Sequence, residues 1–372
     1  MAINVNTVNL RDAKDLCIKA LRANLPILLL SQPGAGKSSL ARQLAEKFNL
    51  EFIDIRLATH DPTDLTGLPR FVDNKAQFVP FDLFPLENTP LPKGKKGWLC
   101  LCDEVTSCSR SMQAASYRLI LDREVGQHKL HPNCFLMAAG NRSEDNAVVN
   151  DLSTALKSRL ITLRVTIDPE QWIEDFAVPY DIDHRIIGYI KANPDALNDF
   201  DPDSDTDTFC CPRTLEFLSR IIKGHDITKK DIPLIAGTIG DVRAGEFYAA
   251  CQVLQSCTVT IDDILKDPFL CDMPQDKDGE RNTVLDWLFV TSLAQYVTKE
   301  RIEDQLDKEL NNKDEESSEF QNIIHYINRF EEPLRIIFVR LVVQKNRLVL
   351  SSKFFMNNCI DILNSVKNLL GD

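Results

Sequence analysis

Three groups of residues in this chain have the chemistry to hold and cleave a phosphoanhydride. The first is Gln32-Pro33-Gly34-Ala35-Gly36-Lys37-Ser38-Ser39, directly after the apolar run Ile27 to Leu30. Glycines let a backbone approach an anion closely, and the N–H groups of a loop leading into a helix N-terminus face that anion. Lys37 is then placed to reach β- and γ-phosphates, and the Ser38 hydroxyl to sit on Mg²⁺. The pattern's first glycine is Ser31 here. An ordinary strand-to-helix turn that contains Gly-Lys-Ser is the bland alternative, and the strand and helix signals on both sides argue against it.

The second group is Asp103-Glu104, at the end of the apolar run Trp98 to Cys102. Nucleotide hydrolysis needs one carboxylate to hold Mg²⁺ and another to orient and deprotonate the attacking water. Adjacent residues at the C-terminal end of a strand diverge as the strand opens into a loop, so they can do both, and that end is where open α/β sheets bind ligands. Asn141, which ends the run Phe135 to Gly140, could hydrogen-bond both a γ-phosphate and that water; as a turn residue it would do neither.

The third group is two arginines. Arg159 closes the predicted helix 153–159, where a cation also suits the helix dipole; the functional alternative is a finger inserted into a neighbouring subunit's site. Arg213 follows Pro212, a residue suited to the first helical position, and so sits in a first turn where the dipole disfavours a cation. Such a breach of a local rule marks a candidate site residue, one able to reach a γ-phosphate from a second domain.

These residues need a βαβ scaffold. Residues 10–23 predict an amphipathic helix, 38–48 a helix and 51–57 a second strand, which implies a largely parallel sheet with helices on both faces. Two short β-like runs around Asp73-Asn74 predict an inserted hairpin, and 124–134 a second one. Strands at 98–102, 134–139 and 161–167, a helix 109–121, and a short helix capped by Ser153 complete a five-stranded α/β domain over 1–170. Helices are expected at 169–176, 183–192, 212–223 and 232–254, giving a small helical domain over 171–256. Residues 257–372 form a mostly helical extension with a helix at 284–296, a charged linker near 304–318 and two helices across 319–369.

The totals agree with that reading. A length of 372 residues suits ~2–3 domains. A net charge of −12 without a long basic stretch argues against unaided nucleic-acid binding. The N-terminal stretch is polar and no apolar run reaches bilayer length, so neither a signal peptide nor membrane insertion is expected. Eleven irregularly spaced cysteines read as thiols of a reducing, cytoplasmic compartment. His128, His131 and Cys134 lack an evident fourth ligand, so zinc is not expected there.

With these residues in place, residues 1–255 resemble the AAA+ ATPases, and within them the MoxR family of the helix-2-insert clade. Gln32 to Ser38 correspond to Walker A, Leu99 to Glu104 to Walker B, Asn141 to sensor 1, Arg159 to the finger and Cys211 to Thr214 to sensor 2. Residues 63–69 with the following hairpin look like the insertion in the second helix, and 124–134 like the hairpin before sensor 1. The resemblance implies ATP and Mg²⁺ as ligands, a hexameric ring with ATP between subunits and Arg159 acting in trans. It further implies a chaperone-like role and a partner with a von Willebrand factor A domain. The expected location is the cytoplasm, that of the host if a phage encodes the chain. Two rivals stay open on the residues alone. One is a nucleic-acid-directed motor or loader of the same clade, which DNA-stimulated hydrolysis with a steep salt dependence would favour. The other is a nucleotide-gated scaffold that scarcely hydrolyses.

Overall fold

The computed structural model describes residues 6–73, 75–145, 152, 154–311 and 317–365. It divides into two compact units, Met1–Asp168 with Phe200–Asp205, and Pro169–Asp199 with Thr206–Asp372.

The first unit begins with β1 (Thr7–Asn9), α1 (Leu10–Arg22), β2 (Ile27–Leu30), α2 (Lys37–Lys47) and β3 (Glu51–Arg56). A short helix α3 (Pro62–Thr66) leads to the hairpin β4 (Leu68–Val72) and β5 (Lys75–Val79). Then come β6 (Trp98–Asp103), α4 (Arg110–Tyr117), the small hairpin β7 (Glu124–Val125) and β8 (His128–Lys129), and β9 (Cys134–Gly140). The unit closes with α5 (Thr154–Lys157) and β10 (Ile161–Thr166). The main sheet has the order β1-β10-β2-β9-β6-β3, and every pair in it is parallel.

Each central strand is apolar on both faces because helices cover both. Leu29, Leu99, Leu101, Met137 and Ala139 pack with Ala13 and Cys17 of α1 and with Leu40 and Leu44 of α2. Their strand neighbours Leu28, Cys100, Cys102, Leu136 and Ala138 turn the other way, onto Met112 of α4 and Leu156 of α5. The period-2 alternation of strands therefore sorts one run of apolar residues into two cores. The thiols belong to these cores: burial pushes Cys17 and Cys102 up to about 12.

Several expected elements need correction. The sheet has six strands, not five. The added edge strand β1 is only three residues long and carries the polar cap Asn9, which accepts from the Asp12 N–H at 2.8 Å; so short a stretch shows no period. The helix expected over 109–121 starts after Ser109, whose hydroxyl caps it at the Met112 N–H. It then loosens into a π-helical turn, Arg118–Asp122. Ser153, the expected cap of α5, lies outside the described residues.

The second unit is helical. Its first six helices are α6 (Pro169–Trp172), α7 (His184–Ala192), α8 (Pro212–Ile222), α9 (Ile232–Ile239), α10 (Asp241–Gln255) and α11 (Ile261–Lys266). The remainder are α12 (Thr283–Leu293), α13 (Lys299–Leu310), α14 (Glu319–Ile327), α15 (Glu332–Lys345), α16 (Lys353–Asn358) and α17 (Ile360–Ser365). The single helix expected over 232–254 is broken at Gly240, whose φ of 86° leaves the helical region. The charged stretch that starts at 304 is helical to Leu310 within α13, and residues 312–316 of it lie outside the described residues. Across 319–369 the two expected helices become α14 to α17 within the described part. The break after α15 uses side-chain caps: Asn346 accepts from the Leu348 N–H and Ser352 from the Phe355 N–H. The Glu309 carboxylate of α13 meets the Lys353 and Phe354 N–H groups at 2.8 and 3.1 Å. No glycine or proline announces that break.

One buried ion pair ties α7 to α8. Asp183 caps α7 at the Arg185 N–H and takes two more hydrogen bonds from the Arg185 guanidinium, each 2.9 Å. Arg185 donates onward to the carbonyls of Ile222 and His225. Burial pushes Asp183 up, but Arg185 and His184 outweigh it and hold the carboxyl below its usual range.

Candidate functional site

The loop after β2 is built as the glycine spacing requires. Gly34 and Gly36 have φ of 74° and 92°, a region that L side chains rarely enter. Gly36 precedes α2, which has no side-chain cap, so the first turn of the helix is presented as backbone. Gln32 and Pro33 are half-buried, Ala35 is buried, and Ser39 is exposed on α2.

Lys37 opens α2 and is 8 % exposed. Its Nζ donates to Ser31 O at 3.2 Å, Ser31 Oγ at 2.9 Å, Gln32 O at 3.2 Å and Asn141 Oδ1 at 3.3 Å. Ser38 donates from Oγ to Asp103 Oδ2 at 2.7 Å. Three neighbouring strands thus deliver their C-terminal ends to one place: β2 through the loop, β6 through Asp103 and β9 through Asn141. This is the end at which open parallel sheets bind ligands.

Glu104 follows Asp103 with φ of 57°. A left-handed conformation in a non-glycine residue costs about 1 kcal/mol and marks a turn held by its surroundings. The hold is visible: the Glu104 N–H donates to Asp103 Oδ1 at 2.8 Å, and the Val105 N–H to Ala139 O at 3.0 Å. The field of Asp103 reaches β3, where burial first and Asp103 second raise the Asp54 carboxyl above its usual range.

The site has one member that the sequence did not reveal. Thr106 is buried, and its Oγ1 accepts the Asn141 N–H at 2.9 Å. It also packs so closely on Gly140 that a Cβ there would lie 2.7 Å from that hydroxyl. Thr106 therefore fixes where β9 ends and where the Asn141 carboxamide begins. Nothing in the spacing of Thr106 signals this, because the contact is made across two strands.

The two candidate arginines lie in different units. Arg159 lies just beyond α5, is exposed, and its side chain carries no hydrogen bond or ion pair among the described residues. Arg213 is exposed in the first turn of α8, in the second unit. By contrast Arg142, next to Asn141, pairs with Asp145 at 2.7 Å and Glu144 at 3.5 Å. The residues weighed for zinc are engaged elsewhere. His128 Nε2 lies 3.2 Å from Phe78 O, His131 Nδ1 accepts from the Asn133 N–H, and Cys134 Sγ lies 3.4 Å from Cys100 Sγ. Among the described residues no group of three or more His, Cys, Asp or Glu could hold a metal ion.

The residues fit a magnesium nucleotide. A hydroxyl and a carboxylate already 2.7 Å apart are the hard oxygen donors that Mg²⁺ takes alongside water and phosphate. The loop supplies open backbone and a lysine. Residues 26–160 match the family model described as the AAA domain, dynein-related subfamily. The matched stretch holds the glycine loop, Asp103-Glu104 and Asn141. Curated proteins give no match to the chain.

Among solved structures, a candidate ATPase from Cytophaga hutchinsonii is 16% identical, with 78% of this chain and 76% of that chain covered and a TM-score of 0.34. A point mutant of RuvB from Thermotoga maritima is 15% identical, covering 78% of this chain and 72% of its own, with a TM-score of 0.31. A second RuvB mutant is also 15% identical, covering 69% and 74%, with a TM-score of 0.36. The fold is that of an AAA+ P-loop NTPase, a parallel sheet flanked by helices with a helical C-terminal part. Among the described residues no helix is long and apolar enough to cross a membrane.

Proposed function

We propose that this chain is an ATP-hydrolysing, MoxR-like AAA+ remodeller that works as an oligomeric ring on a protein partner. The observation that carries the reading is the meeting of Lys37, Ser38, Asp103 and Asn141 at adjacent strand ends, with Glu104 in the turn directly after Asp103.

In this reading the glycine loop and Lys37 bind the β- and γ-phosphates. Ser38 and Asp103 would hold Mg²⁺, which would supply charge neutralisation to the phosphates. Glu104 accepts the proton of the attacking water, and Asn141 aligns that water against the γ-phosphate. Arg159 enters the site of the next subunit and stabilises the charge that develops in transfer, and Arg213 reports the γ-phosphate to the helical unit. The three-part organisation, with a nucleotide-binding domain over 1–170, a lid over 171–256 and an extension over 257–372, belongs to the same proposal. So do the hexameric ring and a partner carrying a von Willebrand factor A domain.

Phosphate release by the purified protein with Mg²⁺ and ATP is the direct test. Turnover that is abolished by Glu104→Gln while ATP binding persists supports the reading, and a stalled Glu104→Gln ring should retain its protein partner in a pull-down. Undetectable hydrolysis by the native ring would favour a scaffold, and retention of nucleic acid alone would overturn the protein-remodelling role.

A further inference from the structure

The one departure of the phosphate loop from its pattern has a place in the site. Ser31 stands where the pattern has glycine and is fully buried. Its hydroxyl donates to Gln32 O at 2.9 Å and lies 2.9 Å from Lys37 Nζ. A hydroxyl has one proton to give, so with that proton on Gln32 O the Ser31 oxygen faces the lysine as an acceptor. At 2.9 Å this contact is shorter than those from Lys37 Nζ to Ser31 O, Gln32 O and Asn141 Oδ1. An ammonium has three N–H donors, and one that is almost entirely buried needs each of them satisfied. A glycine would remove the shortest of these contacts.

We propose that Ser31 is a positioning residue whose hydroxyl holds the Lys37 ammonium at the mouth of the loop before nucleotide arrives. The proposal rests on the nucleotide-binding reading above. When phosphate binds, one lysine donor turns to it from an adjacent acceptor, and the Ser31 contact keeps the side chain extended into the site. The gain is preorganisation: the lysine's rotamers are already restricted, so less is lost on binding. Ser31→Ala removes the acceptor together with the hydroxyl's own donation to Gln32 O. Ser31→Gly restores the common pattern but also frees the backbone.

The test uses the full-length chain in two measurements. The first is titration with a fluorescent ADP and Mg²⁺. Ser31→Ala is expected to weaken ADP about five- to tenfold, the size of one hydrogen bond to a charged group. Ser31→Thr, which keeps the hydroxyl, is expected to stay within about twofold of native. The second is urea unfolding without nucleotide, in a double-mutant cycle with Lys37→Met. Ser31→Ala is expected to lower the midpoint more when Lys37 is present than in the Met background, where only the bond to Gln32 O is lost. A Ser31→Ala protein that binds ADP as tightly as native, or an equal stability loss in both backgrounds, would overturn the proposal. If the native chain itself fails to bind ADP, the nucleotide reading fails first; native binding with no Ser31 effect overturns this inference alone.

Discussion

The strand ends that carry Lys37, Ser38, Asp103 and Asn141 and the segment that carries Arg159 belong to one unit, yet they are held in opposite ways. At the strand ends every candidate group is tied to another: lysine to asparagine, serine to aspartate, and the asparagine backbone to Thr106. Arg159 is exposed, with no side-chain partner among the described residues. Arg142, next to Asn141, and Arg185 in the other unit are arginines whose charge is consumed by buried carboxylates. The contrast teaches which cations serve the fold and which are available to a ligand or another chain. Arg159 and Arg213 are of the second kind.

Breaking the two sides separately sharpens this contrast. The largest effect is expected from Arg159→Ala, since an arginine finger is worth about 10³ to 10⁵ in turnover. Steady-state phosphate release should fall by that order while ADP affinity of the isolated chain stays native. Glu104→Gln comes next, with a loss of about 10² to 10⁴, the range of a general base, and unchanged unfolding by urea.

Arg185 supplies the structural counterpart. Asp183→Asn leaves its guanidinium with an uncompensated buried charge, which costs about 3 to 5 kcal/mol of stability and no direct loss of chemistry; chemical denaturation reads it. The same pair sets a pH dependence. The Asp183 carboxyl lies below its usual range in the folded chain, so its stabilisation is full above the unfolded carboxylate pKa and is lost as pH falls through the folded value. A native protein whose stability rose on acidification through that range would contradict the assignment. The smallest effect is Thr106→Val, which leaves the Asn141 N–H without its acceptor at a cost of about 1 to 3 kcal/mol. Turnover should fall with it, about tenfold, because the carboxamide loses its anchor.

Much of this is legible in the amino-acid sequence. Ile27 to Leu30, Trp98 to Cys102 and Cys134 to Gly140 read as apolar runs because a parallel sheet buries both faces of its central strands. The glycine loop and the Asp103-Glu104 pair stand at the ends of such runs, so their positions followed from the scaffold. What escaped was short or made across strands. β1 is too brief to show a period, and the break between α15 and α16 rests on Asn346 and Ser352 caps in place of glycine or proline. Thr106 acts only because β6 and β9 are neighbours, and a linear spacing carries no trace of that. Ser31 was visible as a missing glycine, but the bond from Lys37 to its hydroxyl needs the folded loop.

The proposed active site is completed by a second copy of the chain, and subunit mixing tests that arrangement most directly. Differently tagged Glu104→Gln and Arg159→Ala chains, co-expressed and purified through both tags, would form rings in which some sites pair an intact Glu104 with a neighbour's intact Arg159. The account predicts that each mutant alone is nearly inactive and that the mixed rings recover a clear fraction of native phosphate release. Mixed rings as inactive as either parent would contradict it.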